Sequence, residues 1–465
     1  MTFIKYKSII VAFCCFLTLC GGCKKMVEVP EPVNTITTIE TFSSDATATS
    51  AVAAIYNDMI AGGPGRNFAF ANGATTINAG MSADELHHFG YVSLFETNTL
   101  NATDFPGITW TAPYYDIYIA NGVIENLPGS PGVSDAVKTR LTGEAEFFRA
   151  FCYFYLVNMF GDVPLVTTTA WAHTDTLHRS PVELIYQQIM NDLSDAQTRL
   201  PEDYTVSNGQ RITVNKFAAS ALLARVYLYT KNWAGAVTQA SNVLTASGLY
   251  GLVSDLNQVF LANSQEAILQ LQVGNYYPYT TREGHSIIPY DSTANPSYYL
   301  SDQLLADFEP GDQRRFAWID STDYNGTLYY YPYKYKEYVG SDGDIKEYYM
   351  MLRLSEQYLI RAEANAQLNN LSDAIADLNV IRERAGLADL PNTLNQSEVL
   401  AAVAHERRIE LFTEWGHRWM DLKRTGQADA VIGAIKPTWK SNAQLYPIPA
   451  SELIADPNLT QNPGY

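Results

Sequence analysis

Cysteine is scarce in the body of this chain. Four of its 5 cysteines, Cys14, Cys15, Cys20 and Cys23, lie within the first 23 residues, and only Cys152 remains beyond them. A single internal cysteine excludes a disulfide framework, so the fold must depend on a large hydrophobic core. The length of 465 residues and the 47% hydrophobic content allow such a core. Cys152 stands in an apolar helical pattern and is predicted to be a buried core thiol.

Positive charge is also scarce. The chain has 31 Lys and Arg residues against 49 Asp and Glu residues, which gives a formal net charge of −18. An acidic surface repels phosphate backbones, so we expect no nucleic-acid partner. Charge would not hold the protein on an anionic membrane leaflet either. Any attachment to a membrane would therefore require a feature other than surface charge.

The motifs of common catalytic and metal centres are missing. The chain has no His-Glu-x-x-His motif, and the adjacent His87 and His88 would point to opposite sides of a regular strand. Asp342-Gly343-Asp344 lacks the remaining ligands of a calcium loop and is predicted to be a solvated turn. We therefore predict no enzyme, no metal and no cofactor. A glycosidase stays open as an alternative, because an acidic chain contains many carboxylate pairs.

The N-terminus has the pattern of an export signal. Lys5 and Lys7 precede an apolar stretch, residues 9–20, which is too short to span a bilayer. Gly21-Gly22-Cys23 follows, and small residues before a cysteine are typical of a lipoprotein cleavage site. Cys23 is the predicted lipid attachment site, although Cys20 stands where Leu is usual. The alternative is an ordinary secretory signal with incidental cysteines. Cleavage before Cys23 changes the formal charge from −18 to −20, because two lysines are removed.

The rest of the chain is predicted to be mainly helical. No second segment is apolar enough to span a membrane, so the mature protein should be anchored and not integral. Apolar periodicity and Gly, Pro and Ser boundaries predict helices at 110–126, 135–160, 181–200, 214–230, 233–245, 352–368, 372–384 and 397–415. The final stretch to residue 465 is Pro-rich and predicted to be mostly extended. The organisation that follows is a signal peptide at 1–22, a tether at 23–41, a helical region at 42–245 with a loop at 63–105, an irregular insertion at 246–350 and a C-terminal region at 351–465.

Two tight helix pairs share an internal spacing. Ala224 and Ala236 are twelve residues apart in the first pair, and so are Ala362 and Ala374 in the second. Small residues at these positions allow antiparallel helices to approach closely, as in tetratricopeptide (TPR) repeats. We predict about four TPR-like helix pairs. A generic α-helical bundle is the alternative, because the full set of bulky TPR positions is not present.

Two aromatic-rich segments are the candidate ligand-binding regions. Aromatic rings stack on the flat apolar faces of sugars, while polar side chains bind the hydroxyl groups. Each of these rings could instead pad a loop against the scaffold. The first segment follows Asp84-Glu85, and the second lies in the irregular insertion, with Tyr290 beyond it. The candidate residues are His87, Phe89, Tyr91, Phe95, Asn98 and Asn101 in the first segment and Tyr276, Tyr277, Tyr279 and Arg282 in the second.

Several stretches resemble the SusD/RagB family of Bacteroidota, in the family's order along nearly the whole chain. They are 143–150 (GEAEFFRA), 160–165 (FGDVPL), 222–228 (LLARVYL), 312–315 (DQRR), 358–364 (YLIRAEA), 405–411 (HERRIEL), 416–424 (GHRWMDLKR), 446–449 (YPIP) and 461–465 (QNPGY). Asp84-Glu85 also resembles a family motif that precedes the ligand loop. Each stretch is weak alone, but their order together with the lipoprotein signal is specific.

The resemblance implies a fold and a function. It implies TPR units that carry a loop-rich ligand face, and a lipid-anchored, surface-exposed, non-catalytic protein of the outer membrane. It also implies a SusC-type TonB-dependent transporter as partner and an oligosaccharide as ligand, or a peptide as in RagB-like members. A TPR scaffold that binds only other proteins is the alternative of another class.

The motif arginines are predicted to be structural. Helix geometry puts Glu406 and Glu410 on one face, whereas Arg408 faces away from Glu410. We expect Arg361, Arg408 and Arg418 to pair with Glu144, Glu363 and Glu410 in buried ion networks between repeats, and not to act in catalysis.

Overall fold

The computed structural model describes residues 38–61, 70–105 and 107–465. The predicted signal peptide, Cys23 and most of the predicted tether lie outside the described residues. The last four residues of that tether form a helical turn. In the described part of the chain, no helix is both long and apolar enough to cross a membrane.

The chain is mainly helical, as predicted. The α-helices are α1 (Thr38–Thr41), α2 (Asp45–Ala61), α3 (Thr75–Ser82), α4 (Ile108–Asn126), α5 (Asp135–Phe160), α6 (Trp171–Thr174), α7 (Val182–Arg199), α8 (Lys216–Tyr229), α9 (Trp233–Leu244), α10 (Arg282–Ile287), α11 (Asp302–Ala306), α12 (Gln313–Ala317), α13 (Leu354–Gln367), α14 (Leu371–Arg384), α15 (Gln396–Glu410), α16 (His417–Arg424), α17 (Ala428–Ile435) and α18 (Ala450–Ala455). A π-helical turn (Phe70–Ala74) precedes α3, and short 3₁₀ turns lie at Thr205–Ser207, Leu256–Gln258 and Ser441–Gln444.

The long helices pack as antiparallel pairs: α5 with α7, α8 with α9, and α13 with α14. Side-chain caps begin several of them, because an Asn oxygen accepts a free N–H of the first turn. Asn215 caps α8, Asn232 caps α9, and Asn395 forms a capping box with Glu398 at α15. The predicted small-residue contacts are confirmed, because Ala224, Ala236, Ala362 and Ala374 are all fully buried.

Helix α5 forms the centre of the core. All its residues from Leu141 to Val157 are buried, and a helix that is apolar on all sides requires packing on all sides. Its rings continue into neighbouring elements: Phe151 lies 5.0 Å from Trp415 edge to face. Cys152 is fully buried, as predicted, and burial raises the pKa of its thiol.

The insertion contributes most of the strands, in short antiparallel ladders. The strands are β1 (Leu86–His88), β2 (Val163–Pro164), β3 (Arg179–Ser180), β4 (Ala267–Leu271), β5 (Tyr298–Leu300), β6 (Ile319–Tyr324), β7 (Thr327–Pro332) and β8 (Tyr349–Arg353). The pairs are β1–β5, β2–β3, β4–β8 and the β6–β7 hairpin. The β4–β8 ladder is buried on both faces and joins the insertion to the start of α13.

Three boundaries differ from the sequence-based expectation. The loop predicted at 63–105 contains helix α3, which lacks a capping side chain and is buried on nearly all sides. The final stretch is not mostly extended, because it contains α16, α17 and α18. The helix predicted to reach residue 415 ends at Glu410, and the turn that follows has positive φ values at Thr413 and Trp415.

Gly416 explains why this turn is so close to α3. Its φ is +71°, and a Cβ there would lie 2.4 Å from the Cβ of Ala79. Only glycine tolerates both conditions without strain. The turn is also bonded to the N-terminal half, because the Trp415 N–H donates to the Thr76 hydroxyl and the Thr413 N–H donates to the Glu85 carboxyl.

A buried ion network joins the insertion to the C-terminal helices. The Arg353 guanidinium binds the carboxylates of Glu266 (3.0 Å), Glu410 (2.5 Å) and Glu414 (2.8 Å). Glu410 also binds Arg314 and Arg384, and these cations hold the pKa of its carboxyl well below the ordinary value although burial opposes them. Buried ion networks were expected from the sequence, and this group of paired side chains is one of them.

The individual pairs differ from those predicted. Arg361 binds Asp377, whereas Arg408 and Arg418 both bind Asp84. The acids predicted as their partners pair elsewhere, Glu144 with Arg140, Glu363 with Arg424 and Glu410 with three other arginines. Helix periodicity identifies the buried faces, but it does not identify which helices meet, and the partners depend on that.

Candidate ligand-binding site

Strand β1 places the first candidate segment against the insertion. It pairs with β5 so that His87 lies opposite Tyr299 and His88 lies opposite Tyr298. The Phe89 N–H continues the ladder by donating to the Ser297 carbonyl (2.9 Å). Opposite residues share a face and successive residues alternate, so His87, Phe89 and Tyr299 lie on one face of this ladder.

These rings join two tyrosines of the β6–β7 hairpin in one continuous cluster. Tyr299 lies 5.2 Å from both His87 and Tyr329, and Phe89 lies 5.4 Å from Tyr329 and 5.5 Å from Tyr324. The rings meet mostly edge to face, which is a favourable aromatic geometry. All five are half-buried, so each ring is fixed by a neighbour and keeps part of its surface in water. We call His87, Phe89, Tyr299, Tyr324 and Tyr329 the aromatic platform.

The other face of the ladder carries a smaller ring cluster. The Tyr91 ring lies 3.8 Å from the His88 ring, and His88 lies edge to face with Tyr298 at 5.2 Å. Tyr91 is 64% exposed, which makes it the most accessible aromatic of the first segment. His87 and His88 therefore point apart, as their adjacency predicted.

One ion pair lies at the edge of the platform. The His87 Nδ1–H donates to Glu96 Oε1 at 2.6 Å, and the His88 N–H reaches Glu96 Oε2 at 3.4 Å. Partial burial would raise the pKa of the Glu96 carboxyl, but the contacts with His87 outweigh it and lower that pKa. Glu96 thus fixes the orientation of the imidazole through its Nδ1 atom.

Asp84 and Glu85 fix the start of strand β1. The Asp84 carboxylate binds Arg418 at 2.8 Å and Arg408 at 2.9 Å, and its backbone carbonyl accepts the Ser301 hydroxyl. Glu85 is buried beside it, and burial together with repulsion by Asp84 raises the pKa of Glu85 to about 7. The motif therefore positions the ligand segment and does not itself face solvent.

The second candidate segment is exposed on a separate loop. Tyr277 is 61% exposed and its ring lies edge to face with His285, which in turn stacks on Tyr338 at 4.6 Å. Tyr276 is also exposed, Tyr279 adopts a positive φ of 59°, and Arg282 begins α10. Beyond this helix Tyr290 is exposed as well. Contacts place α10 beside β5, so both segments border the same part of the insertion.

Three residues of the first segment do not fit the expected role. Phe95 is only 6% exposed and packs on Phe105 and Tyr446, so it is part of the core. Asn98 is 7% exposed, and its side-chain amide donates to the Ser82 carbonyl. Asn101 is exposed, but its side-chain oxygen accepts two backbone N–H groups and shapes a turn. Loop composition could not separate these scaffold roles from ligand contact.

The sequence reasoning missed the half of the platform that comes from the insertion. Tyr299 lies in a Tyr-Tyr doublet, and Tyr329 lies in a run of three tyrosines. These repeated tyrosines were the signal in the sequence that pointed to the missing rings. They could not be connected to His87 and Phe89 without the register of the β1–β5 ladder, which pairs segments more than 200 residues apart.

One group of side chains has the composition of a metal site. Glu309, His405 and Glu406 have possible ligand atoms within 4.8 Å of one another. However, the Arg382 guanidinium binds Glu309 (2.6 Å) and Glu406 (3.1 Å), and Arg314 also binds Glu406 (3.1 Å), so both carboxylates already have cationic partners.

The Asp342-Gly343-Asp344 segment lies in an exposed turn, where Asp342 and Gly343 are hydrogen-bonded to the Asn275 side chain.

Glu283 gives a pH-dependent prediction for the scaffold below the second segment. Burial raises the pKa of its carboxyl to about 8, although hydrogen bonds from Thr76 and Tyr349 oppose the shift. The folded state therefore holds this proton more tightly than the unfolded state, and the stability that Glu283 contributes is lost as pH rises from about 4.5 to about 8. Glu283→Gln is expected to gain stability relative to the parent as pH rises through this range, by up to about 5 kcal/mol once the pH is above about 8. Urea titrations of both proteins at pH 5, 7 and 9 measure the difference, and a constant difference would contradict the assignment.

Comparisons with known proteins show which chains are similar to this one. A model described as "SusD family" matches residues 313–465, and one described as "Starch-binding associating with outer membrane" matches residues 34–228. A SusD-like protein of Formosa agariphila is 27% identical over 426 residues, covering 80% of this chain and 83% of that protein. The starch-binding protein SusD of Bacteroides thetaiotaomicron is 25% identical over 442 residues, covering 76% and 77%.

Solved structures show the same fold. A SusD superfamily protein of Parabacteroides distasonis superposes with a TM-score of 0.77 at 24% identity, over 90% of this chain and 99% of that one. A structure described as a laminarin-binding SusD-like protein gives a TM-score of 0.76 at 25% identity, over 91% of this chain and 100% of that one. The similarity therefore includes the helical pairs, the insertion and the C-terminal helices.

Proposed function

The chain belongs to the SusD/RagB family, and from this membership we propose that it is a non-catalytic, lipid-anchored binding protein of the outer membrane. It captures oligosaccharides at the cell surface and delivers them to a SusC-type TonB-dependent transporter. The observation that carries the proposal is the aromatic platform. Five half-buried rings are held in fixed positions by strand pairing and ring contacts, which is the arrangement that stacking on sugar faces requires.

The names of two relatives support a carbohydrate ligand. One relative is described as starch-binding and one as laminarin-binding. The platform fits such ligands, because the phenol groups of Tyr299, Tyr324 and Tyr329 can donate and accept hydrogen bonds to sugar hydroxyls. Contacts between neighbouring rings order the platform before the ligand binds, and this reduces the conformational entropy lost on binding.

A role in binding also fits the chemistry of the family motifs. Their arginines and carboxylates pair with one another inside the protein, as in Arg225–Glu356 and Arg314–Glu406, whose side chains are both almost fully buried. Catalysis of glycoside hydrolysis needs two carboxyl groups on either side of the bond that is broken. Glu96, one of the two carboxylates near the platform, is hydrogen-bonded to His87.

The alternative of a protein-binding TPR scaffold is less consistent with helix α16. This helix contacts the first helix of three successive pairs. Lys423 donates to the Asn158 carbonyl of α5, and Arg424 lies over Tyr229 of α8 and binds Glu363 of α13. Repeat proteins bind partners on such a continuous helical face. Here the chain covers that face with its own segment.

A ligand screen tests the proposal and its peptide-binding alternative. The purified protein without its first 23 residues would be run in native gels that contain single polysaccharides, and oligopeptide mixtures would be titrated by calorimetry. Retardation by at least one polysaccharide is the expected result. Binding of oligopeptides alone would favour a RagB-like function, and turnover of a bound glycan would favour the glycosidase alternative. A protein partner with neither ligand would favour the TPR scaffold.

The lipid anchor gives a separate prediction. Acylation of Cys23 would hold the acidic body at the membrane, since its net charge of −20 after cleavage would not. Cys23→Ser, expressed with its own signal in a Bacteroidota host, is expected to move the protein from the membrane fraction to the soluble fraction. Cys20→Ser is the matched control and should stay in the membrane fraction. A Cys23→Ser protein that still sediments with membranes would contradict this assignment.

The transporter partner is tested by isolation from mild detergent. An affinity tag at the C-terminus of the protein is expected to recover a TonB-dependent β-barrel transporter in comparable amount from the native membrane. Recovery of the protein without any barrel would contradict delivery to a dedicated transporter while leaving ligand capture unaffected.

A further inference from the structure

The charge at the aromatic platform points to the chemical class of the ligand. The ion pair of His87 and Glu96 carries a charge of −1 when the imidazole is neutral and zero when it is protonated. In neither state is the pair positive. Glu96 supplies the negative charge at this edge of the platform, and the largely buried Lys436 ammonium is near enough to help lower the pKa of its carboxyl.

A second carboxylate lies close to the same ring. Burial raises the pKa of the Tyr299 phenol, and Glu96, Tyr329 and Asp302 raise it further through their proximity. Asp323 is next to Tyr324 on the hairpin, but strand alternation puts it on the opposite face from the platform, and its carboxylate accepts the Gly326 N–H in the turn. The carboxylates that act on the platform, Glu96 and Asp302, therefore lie on its β1 and β5 side.

The cations that lie near the platform are bonded to groups inside the protein. Arg408 and Arg418 bind Asp84 behind strand β1. The Lys436 ammonium donates to the carbonyls of Met81 and Ser82.

The nearest arginine on the hairpin points away from the platform. Arg315 lies 4.7 Å from the Tyr330 ring, and the hairpin register puts Tyr330 on the opposite face from Tyr329. Arg408, Arg418, Lys436 and Arg315 therefore present no free guanidinium or ammonium group to a ligand on the platform, and Arg282 stands in the second candidate segment at the start of α10.

Recognition of an anionic sugar would need such a group. Carboxylates and sulfates are bound by Arg or Lys, most strongly through charge-assisted and bidentate hydrogen bonds. A carboxylate of the ligand that approaches Glu96 or Asp302 would be repelled, and the net charge of −20 after cleavage adds to this repulsion at long range. These negative charges do not weaken the binding of an uncharged sugar, because ring stacking and hydrogen bonds to hydroxyl groups need no cation.

We infer that the aromatic platform takes uncharged oligosaccharides and rejects glycans that carry carboxylate or sulfate groups. The inference rests on the proposed function, since it specifies the class of glycan that the same site captures. Neutral storage and wall glycans are therefore ligands of the platform, whereas uronates and sulfated polymers are not.

Matched polymers with the same backbone test this inference. Native gels would contain hydroxyethyl cellulose or carboxymethyl cellulose, dextran or dextran sulfate, and, as unpaired probes, laminarin, amylopectin, polygalacturonate and alginate. The expected result is retardation by one or more neutral polymers and by none of the anionic ones. Affinity for the neutral polymer is expected to change by less than about twofold between 0.05 and 0.5 M NaCl, because no ion pair is formed.

The failures can be told apart. Stronger retardation by an anionic polymer would overturn the inference and leave glycan capture intact, and loss of that retardation in Arg282→Gln would identify the cation responsible. Absence of retardation by every polymer would overturn the proposed function and the inference together. Glu96→Gln adds an internal check, because removal of the carboxylate should not increase affinity for a neutral polymer.

Discussion

Replacement of Arg353 by methionine is expected to destabilise the folded protein by about 3–5 kcal/mol at pH 7. The guanidinium is buried, and it binds Glu266, Glu410 and Glu414 together with the Glu410 backbone carbonyl. Methionine has a similar length but no charge, so the three carboxylates would keep their negative charges without their shared partner. Removal of one partner from a buried ion network leaves buried charge uncompensated, which costs about 3–5 kcal/mol.

Urea denaturation followed by tryptophan fluorescence measures this loss. Trp318 and Trp415 lie in the same region of the core, so the probe reports on the part of the fold that the network joins. Arg315→Met is the matched control, because Arg315 is half-exposed and packs on Tyr330. The control should lose less than about 1 kcal/mol. A loss below 1 kcal/mol for Arg353→Met as well would show that the network is not a support of the fold.

Removal of two platform rings should nearly abolish ligand binding. Phe89 and Tyr329 are 5.4 Å apart and come from different halves of the site, β1 and the hairpin. The double variant Phe89→Ala/Tyr329→Ala is expected to weaken binding of the retained polysaccharide by about 2–4 kcal/mol, roughly 30- to 700-fold, if both rings stack on sugar faces. The effects of the single variants should not add, because the two rings contact and support each other.

The control for this variant removes two tyrosines elsewhere. Tyr115 and Tyr118 are exposed on α4, which contributes no residue to the platform. Tyr115→Ala/Tyr118→Ala should leave affinity within about twofold of the parent, and both variants should keep the parent circular dichroism and melting temperature. Equal loss of affinity in both variants would show that exposed aromatic surface in general, and not the platform, holds the ligand.

The helical scaffold could be predicted well from the sequence, because its signals are local. Periodicity together with Gly161 and Pro164 placed the end of α5 at Phe160, where the structure has it. The alanines spaced by twelve residues correctly indicated close helix pairs. The short helices α3 and α16 have no such signal, since tertiary packing stabilises them more than their own propensity does.

The site was predictable only in part, because it depends on contacts between distant segments. His87, Phe89 and Tyr91 lie on the β1 side, as the aromatic segment after Asp84-Glu85 suggested. Tyr299 and Tyr329 join them through strand pairing that no local pattern encodes. Phe95 and Asn98 belong to the core for the same reason, since the segments that bury them come from elsewhere in the chain.

Hydrogen exchange measured by mass spectrometry tests the central claim most directly. The protein would be compared with and without the neutral polysaccharide that retards it most strongly. The account predicts slower exchange in peptides that cover residues 86–91, 297–300 and 322–330, which carry the aromatic platform. Slower exchange confined to other regions, such as the helices around α16, with these three segments unchanged, would contradict it.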